Sequence, residues 1–237
     1  MNVQANSEEV ANVNDDINII EKNINIRKIN IQIYLAIKRF IDIIGALIGI
    51  IVLVPVTLLI YIASIILKEN DGPLFYSQKR IGKNGKYFKL YKFRSMCKDA
   101  DDKLAKYLAE NEEMRNEFKE TQKLQNDPRI TKLGNFLRKT SLDELPQMIN
   151  ILKGDMSFIG PRPVVDGEID KYENNKEKFL SVKPGLTGYW QVNGRSTTTY
   201  EERMKLELYY VDYQSLWLDI KIFFKTFVTV LKKEGAM

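Results

Sequence analysis

The longest hydrophobic stretch of the chain runs from Phe40 to Leu67 and contains a single charged residue, Asp42. A stretch of this length is typical of a helix that crosses a membrane. Pro55 lies near its middle, where it removes one helix hydrogen bond and predicts a kink. The hydrophobic pattern therefore favours a membrane helix that bends at Pro55.

Basic residues flank this stretch at both ends. Lys38 and Arg39 precede it, and a series of lysines and arginines follows between Lys79 and Lys98. Such flanks usually stay on the cytoplasmic side of a membrane. A spanning helix would move one flank outside, whereas a re-entrant helix, which enters and leaves on one face, keeps both in the cytoplasm. From the residues alone the spanning helix, the re-entrant helix and a buried helix of a soluble protein all stay open.

Downstream, the pattern changes to short elements separated by turns. Hydrophobic residues on both sides of Asn84-Gly85 predict a β-hairpin over 74–94. Helices are predicted over 99–125, over 132–152 as a pair broken near Ser141 and Pro146, and over 200–213. The Pro- and Gly-rich stretch 160–194 predicts loops.

The two ends of the chain carry weaker patterns. Residues 1–16 are polar and predict a loose tail, and the isoleucine spacing over 17–33 fits helix and strand equally. The last segment, 216–233, is amphipathic with aromatic residues mostly on its other faces, and it suits a membrane interface or a surface helix packed on the core. Its polar face consists of Lys221, Lys225, Thr229 and Lys232.

Composition restricts the chemistry that the chain can perform. It has no His and a single Cys, which excludes Ser-His-Asp and Cys-His nucleophiles, His-based zinc sites and intrachain disulfides. Acid–base or nucleophilic work falls to Asp, Glu, Lys, Tyr, Ser or Thr, and a bound metal would be a hard cation held by oxygen. The net charge of +5 indicates an anionic partner such as lipid headgroups, nucleotide phosphate or nucleic acid.

Two adjacent carboxylates, Asp143 and Glu144, follow the basic pair Arg138-Lys139. One carboxylate could act as a nucleophile while its neighbour holds a metal. Ser141 and Glu144 also have the spacing of a helix capping box, which requires no chemistry. The two interpretations are compatible, because a helix N-terminus also attracts phosphate.

Two further sets of basic residues could bind phosphate. Arg162 lies between two prolines, which would fix the direction of its guanidinium for bidentate contact, although a rigid turn with a solvated arginine explains the same residues. Lys92 and Arg94 alternate with aromatic residues in the predicted hairpin. That pattern suits anionic lipid, nucleotide phosphate or nucleic acid as well as a plain solvated face.

Several long segments occur in a fixed order and together resemble one family. They are Lys38–Asp42, Gly72–Gly82, Lys89–Met96, Asp127–Thr131, Leu137–Gln147, Leu152–Pro163, Lys183–Gly188 and Gln191–Arg195. The chain resembles, over about residues 37–234, the bacterial sugar transferase family, which comprises the monotopic polyprenyl-phosphate phosphoglycosyl transferases.

This resemblance implies an activity. Family members transfer a sugar 1-phosphate from a UDP-sugar to undecaprenyl phosphate and release UMP, which starts the assembly of a bacterial surface glycan. The resemblance implies that Asp143 is the nucleophile of a phosphoryl-Asp intermediate, and that Glu144 and Asp143 bind Mg²⁺. It assigns phosphate contacts to Arg138 and Arg162, to which the hairpin pattern adds Lys92 and Arg94. The residues that it places at the membrane interface are Lys38, Arg39, Asp42 and Pro55.

The implied fold is a helix-rich α+β monotopic membrane protein. It comprises a flexible N-terminal tail (1–30), a Pro-kinked re-entrant membrane helix (31–69), a small globular catalytic domain with the β-hairpin (70–215) and a C-terminal amphipathic interfacial helix (216–237). Val54 precedes Pro55 where some members carry Ser, so the kink has one hydroxyl partner fewer.

The implied location is the cytoplasmic face of the bacterial inner membrane, with both termini in the cytoplasm. Membrane lipid is then a partner, nucleic acid is not, and a homodimer is one option. The alternative function is that of an inactive membrane-anchored scaffold or interaction protein in a glycan assembly system. The intact residues Asp143, Glu144, Arg138 and Arg162 argue against that alternative.

Overall fold

The computed structural model describes the backbone of residues 2–121, 124, 127–194 and 198–231. Helices predominate in these ranges, as the sequence predicted. They are α1 (Asn2–Ile66), α2 (Ala100–Glu110), α3 (Glu112–Thr121), α4 (Lys132–Thr140), α5 (Gln147–Lys153), α6 (Asp166–Ile169), α7 (Lys176–Leu180), α8 (Tyr189–Asn193), α9 (Tyr200–Tyr213) and α10 (Leu216–Leu231).

The first helix, α1, is long and apolar enough over Ile29–Ile66 to cross a membrane, by length and composition. It begins at Asn2, so helix covers a part of the chain for which the sequence predicted a tail without secondary structure. Pro55 lies inside it. The flexibility of the tail, the kink and the re-entrant path stay predictions. The chain divides into two units, Met1–Ile41 and Asp42–Met237.

Within the second unit, one side of α1 packs against the globular part of the chain. Ala46, Leu53 and Ile60 are buried in clusters with side chains of the hairpin and of α4 and α5. The other sides of this helical stretch are apolar and exposed, at residues such as Ile51, Val54, Leu59 and Ile66. An apolar surface of this extent is typical of a membrane or partner contact.

The predicted hairpin is confirmed. β1 (Phe75–Ile81) pairs antiparallel with β2 (Tyr87–Phe93), and the connecting turn has Asn84 in a left-handed conformation at φ 56°. A second pair, β3 (Ser157–Ile159) and β4 (Gly185–Thr187), is parallel. The sequence predicted loops over 160–194, which includes β4, and no element for β3, because strands this short are too brief to show a hydrophobic period.

The predicted helices downstream of the hairpin are confirmed with small changes. The stretch 99–125 forms α2 and α3, which separate at Asn111, and its end at 122, 123 and 125 lies outside the described residues. The pair over 132–152 is α4 and α5, broken near Ser141 and Pro146 as predicted, and α9 covers 200–213.

The last helix, α10, uses a different face for packing than the pattern suggested. Asp219, Ile222 and Thr229 are buried, whereas the aromatic residues Trp217 and Phe224 are 65% exposed. Thr229, which the sequence placed on the polar face, instead packs inward; Lys232 of that face lies outside the described residues. Because the aromatic side chains are left exposed, they do not anchor α10 to the core.

Candidate functional site

The two adjacent carboxylates lie on a 3₁₀ turn, Leu142–Glu144, between α4 and α5. α4 ends at Ser141, whose left-handed backbone (φ 56°, ψ 16°) turns the chain, and whose amide donates to the Arg138 carbonyl at 3.1 Å. The Ser141 side chain makes no capping hydrogen bond to the turn. The predicted capping box is therefore wrong, because Ser141 closes one helix in a left-handed conformation instead of opening the next.

Lys92, on β2, reaches both carboxylates. Its Nζ lies 2.6 Å from Glu144 Oε1 and 3.8 Å from Asp143 Oδ2. Arg138, on the last turn of α4, is partly buried and donates from Nε to Ser95 Oγ at 2.9 Å. We term Asp143, Glu144, Lys92 and Arg138 the dyad cluster.

The two carboxylates of the dyad cluster differ in their affinity for protons. Burial raises the pKa of Asp143 to about 6, an effect that Lys92 opposes and the neighbouring charge of Glu144 strengthens. Burial also raises the pKa of Glu144, but the charge and hydrogen bond of Lys92, with help from Arg162, outweigh it and hold that pKa below its usual value. Asp143 is thus the more basic carboxylate of the pair.

Arg138 is held close to Asp143 in a partly desolvated position. Burial lowers the pKa of Arg138, and the charge of Asp143 opposes that shift. A guanidinium stays protonated in proteins, so Arg138 contributes a permanent positive charge beside the carboxylate.

Arg162 lies in the Pro-Arg-Pro segment between β3 and α6, and its charge lowers the pKa of Glu144. Gly160 comes just before this segment, and there the backbone approaches Gly185 so closely that a Cβ on either glycine would collide with the opposite backbone. This approach explains glycine at both positions. The structure thus groups the four residues of the dyad cluster, which are predicted phosphate or metal ligands, with the charge of Arg162.

Arg94 is placed apart from this group. Its Nη2 lies 2.9 Å from Asp71 Oδ1 and donates to the Glu69 carbonyl at 3.2 Å. These contacts tie the end of the hairpin, just after β2, to the residues that follow α1. Its predicted phosphate contact stays untested, and the structure gives this arginine a bracing contact instead.

The predicted membrane-interface residues lie on α1. Asp42 is buried, and its Oδ1 accepts hydrogen bonds from Ser157 Oγ and the Phe158 amide, both at 3.0 Å. This carboxylate therefore fixes the second part of α1 to β3, which leads into the Pro-Arg-Pro segment. Lys38 Nζ lies 5.9 Å from the ring centroid of Tyr34.

Arg39 lies next to Lys38 on α1, and Pro55 lies inside the helix. Near the proline, the Thr57 hydroxyl donates to the Leu53 carbonyl at 2.7 Å. Whether these residues lie at a membrane interface stays a prediction.

The donor set of the dyad cluster fits Mg²⁺. This ion commonly binds through one or two carboxylates together with substrate phosphates and waters, and Asp143 and Glu144 supply such a pair. In the part of the chain that the structure describes, no group of three or more His, Cys, Asp or Glu residues forms a metal cage. A cation already occupies this side of Glu144, since Lys92 Nζ is 2.6 Å away.

Sequence reasoning missed Asn150 on α5, a fully buried amide that holds β2 in place. Its Oδ1 accepts from the Tyr91 amide at 3.0 Å, and its Nδ2 donates to the Lys89 carbonyl at 2.7 Å. These bonds position the strand that carries Lys92. No local pattern distinguishes such an amide from a solvated one, so the sequence offered no signal.

A second set of charged residues also went unassigned, and we term it the Glu207 cluster. Arg203 lies between two carboxylates, with Nη1 3.1 Å from Glu168 and Nε 3.4 Å from Glu207. The (i, i+4) spacing of Arg203 and Glu207 is readable in the predicted helix, but it usually signifies a surface pair. The members of this cluster are Arg80, Glu168, Tyr172, Arg203 and Glu207.

Comparison with known proteins supports one family. The sequence model described as bacterial sugar transferase matches residues 33–233. The exopolysaccharide production protein ExoY of Sinorhizobium fredii is 42% identical over 199 residues, which cover 84% of this chain and 87% of that protein.

Two relatives have names that state a substrate. The undecaprenyl-phosphate galactose phosphotransferase of Salmonella typhimurium is 45% identical over 84% of this chain and 41% of its own length. The UDP-glucose:undecaprenyl-phosphate glucose-1-phosphate transferase of Escherichia coli K12 is 41% identical over 80% of this chain and 39% of its own length. The chain therefore spans less than half the length of these two relatives.

Proposed function

Because the chain belongs to the bacterial sugar transferase family, we propose that it transfers a sugar 1-phosphate from a UDP-sugar to undecaprenyl phosphate and releases UMP. This reaction would start the assembly of a surface glycan. The observation that carries the proposal is the dyad cluster, in which two adjacent carboxylates lie within 4 Å of Lys92. The charge of Arg138 also acts on Asp143, and that of Arg162 acts on Glu144. Such a set can attack a phosphorus and neutralise the surrounding phosphate oxygens.

In the first step Asp143 acts as the nucleophile. Its carboxylate oxygen forms a bond to the phosphorus that carries the sugar, and the bond from that phosphorus to the bridging oxygen breaks. UMP leaves with the electron pair, and a sugar phosphate stays on Asp143. Lys92, Arg138 and Arg162 offset the charge of the crowded phosphate groups.

In the second step undecaprenyl phosphate takes the place of UMP. An oxygen of its phosphate attacks the same phosphorus, and the bond to Asp143 breaks, which regenerates the carboxylate. The products are a polyprenyl diphosphate-sugar and free enzyme. Asp143 and Glu144 would hold Mg²⁺, which when bound neutralises phosphate charge.

The apolar helix α1, together with the lipid carrier in the relatives' names, indicates membrane association. We infer that the protein acts on the cytoplasmic face of the inner membrane, where UDP-sugar is available. The exposed aromatic residues of α10, including Trp217 and Phe224, would lie at the headgroup level. A re-entrant path for α1 keeps both of its basic flanks in the cytoplasm.

The activity is tested by UMP release from a panel of UDP-sugars with undecaprenyl phosphate and Mg²⁺. With the correct donor alone, the covalent scheme predicts UMP release of about one equivalent and a matching increase in the intact mass of the protein. A donor that supports turnover but leaves neither product when the acceptor is absent would replace the covalent scheme with direct transfer. No UMP release from any donor would favour the scaffold function.

The topology is tested by thiol labelling. A Cys is placed near position 10 or near position 235 in a Cys97→Ser background, and a membrane-impermeant reagent is applied to intact cells and to lysed cells. The re-entrant path predicts that both sites react only after lysis. Labelling at position 10 in intact cells, with position 235 protected, would establish a spanning helix.

A further inference from the structure

Glu207 on α9 is a carboxylate with only 1% of its surface exposed. Burying a carboxylate is costly unless donors surround it. Its Oε2 accepts from the Tyr172 hydroxyl at 2.8 Å, and its Oε1 accepts from Arg203 Nε at 3.4 Å. A third donor comes from the Pro-Arg-Pro segment, which carries one of the predicted phosphate ligands.

That third donor is the backbone amide of Arg162, which lies 3.4 Å from Glu207 Oε1. Proline has no amide hydrogen, so Arg162 supplies the only backbone donor among residues 161–163. The hydrogen bond from this amide is thus accepted by the Glu207 side chain on α9, 45 residues further along the chain. The same Oε1 is held by Arg203, so the acceptor itself is fixed.

The carbonyl groups of the same segment are also bound. The Pro161 carbonyl accepts from the Gly185 amide at 2.8 Å, and the Val164 carbonyl accepts from the Ile81 amide at 2.9 Å. The Pro163 carbonyl accepts from Arg80 Nη1 at 3.2 Å. The backbone is therefore held on both sides of Arg162, and the Glu207 contact fixes the point from which its guanidinium extends.

The guanidinium of Arg162 acts on the other cluster, since its charge reaches Glu144. We propose that Glu207 is a positioning residue that sets the place of Arg162 relative to the dyad cluster without touching substrate. This inference rests on the proposed function, in which Arg162 binds a phosphate group. Small misplacements of such a group can lower a rate by about 10²-fold.

The test compares variants of the full-length protein in lipid nanodiscs. Glu207→Leu removes the acceptor, whereas Glu207→Gln keeps an oxygen for the Arg162 amide. Tyr172→Phe is the matched control, because it removes a buried hydrogen bond to the same carboxylate and leaves the contact with Arg162. Arg162→Ala and the double variant with Glu207→Leu complete a double-mutant cycle.

We expect Glu207→Leu to lower kcat/KM for the UDP-sugar by about 10- to 100-fold. Glu207→Gln should recover most of that loss, and Tyr172→Phe should stay within about threefold of the unmodified protein although it lowers the melting temperature. In the Arg162→Ala background, Glu207→Leu should lower kcat/KM by no more than about twofold, because the guanidinium that Glu207 positions is already absent. Losses that multiply in the double variant would overturn the proposal.

A second measurement does not depend on activity. Hydrogen exchange at the Arg162 amide, followed by NMR with ¹⁵N-arginine, should be slow in the unmodified protein and in Tyr172→Phe. It should be at least about tenfold faster in Glu207→Leu. Unchanged exchange in that variant would overturn the inference even if activity falls. If the unmodified protein transfers no sugar phosphate, the proposed function fails, and the exchange data still decide whether Glu207 holds this segment.

Discussion

The dyad cluster and the Glu207 cluster both involve Arg162, yet they treat their carboxylates differently. Asp143 is 3.8 Å from Lys92 Nζ, beyond hydrogen-bond distance, and burial raises its pKa to about 6. Glu207 is more deeply buried, and burial raises its pKa as well, but donors from Tyr172, Arg203 and Arg162 surround it. In the proposed function the first carboxylate reacts, whereas the second is held in place by its donors.

This difference separates chemistry from support. A nucleophile needs an oxygen whose lone pairs are not fully engaged, so the dyad cluster keeps a partly desolvated carboxylate at a cost in stability. A positioning group needs the opposite, since its lone pairs must hold other atoms. We therefore expect changes in the dyad cluster to reduce activity and spare the fold, and changes far from both clusters to have little effect on either.

The largest expected effect comes from Asp143→Asn. An amide cannot attack phosphorus, so UMP release should fall by at least about 10³-fold, while the circular dichroism spectrum stays unchanged. Asp170→Asn, at an exposed carboxylate paired with Lys176, is the control and should keep full activity. A tenfold loss of rate corresponds to a barrier that is higher by about 1.4 kcal/mol. If Asp143→Asn retained more than roughly a tenth of the rate, Asp143 would not be the covalent nucleophile.

The next largest effect is expected at Lys92. Lys92→Gln removes the positive charge 2.6 Å from Glu144 Oε1 and should lower turnover by about 10²-fold through poorer charge neutralisation. Lys178→Gln removes an equally short contact, 2.7 Å from Asp212 Oδ1, and should have no effect on turnover. Equal losses in the two variants would show that the dyad cluster has no special electrostatic role.

The sign of the Asp143 pKa shift predicts a change in stability with pH. The folded-state pKa of about 6 exceeds the unfolded value near 3.9, so the folded protein binds more protons between these values. Ionising Asp143 then destabilises the fold as pH rises through this window, and the cost is complete above the folded-state pKa.

Asn at position 143 cannot ionise and escapes this cost. In EDTA and without Mg²⁺, Asp143→Asn should stabilise the protein at pH 8 by about 3 kcal/mol and have little effect near pH 4. Thermal unfolding in nanodiscs across this pH range measures the effect. A stability difference that is the same at both pH values would contradict the raised pKa.

The sequence predicted those features of the fold and of the dyad cluster that depend on neighbouring residues. The hairpin, the break at Ser141 and the carboxylate pair at Asp143 and Glu144 are contiguous features, so residue types and spacing were sufficient. The αL conformation of Ser141 was not readable, because the capping spacing suggested the opposite arrangement.

Long-range contacts could not be predicted in the same way. Glu207 meets Arg162 across 45 positions, and Asn150 meets β2 across about 60. Nothing in the pattern around either residue distinguishes a buried acceptor from an exposed polar side chain. The sequence therefore indicated the groups to which we assign the chemistry and missed the buried groups that contact the segments carrying them.

The smallest expected effect is the contribution of the surface ion pair between Lys178 and Asp212 to the stability of the fold. Lys178 on α7 and Asp212 on α9 lie at the surface, with side chains 42% and 44% exposed. Exposed pairs typically contribute 0–1 kcal/mol because water and salt screen them. Lys178→Gln should therefore lower the free energy of unfolding by about 0.5 kcal/mol or less, and 0.5 M salt should remove the difference. A loss that is several times larger, and that persists in salt, would mean that the strength of an ion pair in this protein depends on distance alone and not on burial. The contrast between the buried clusters and the surface would then have no basis.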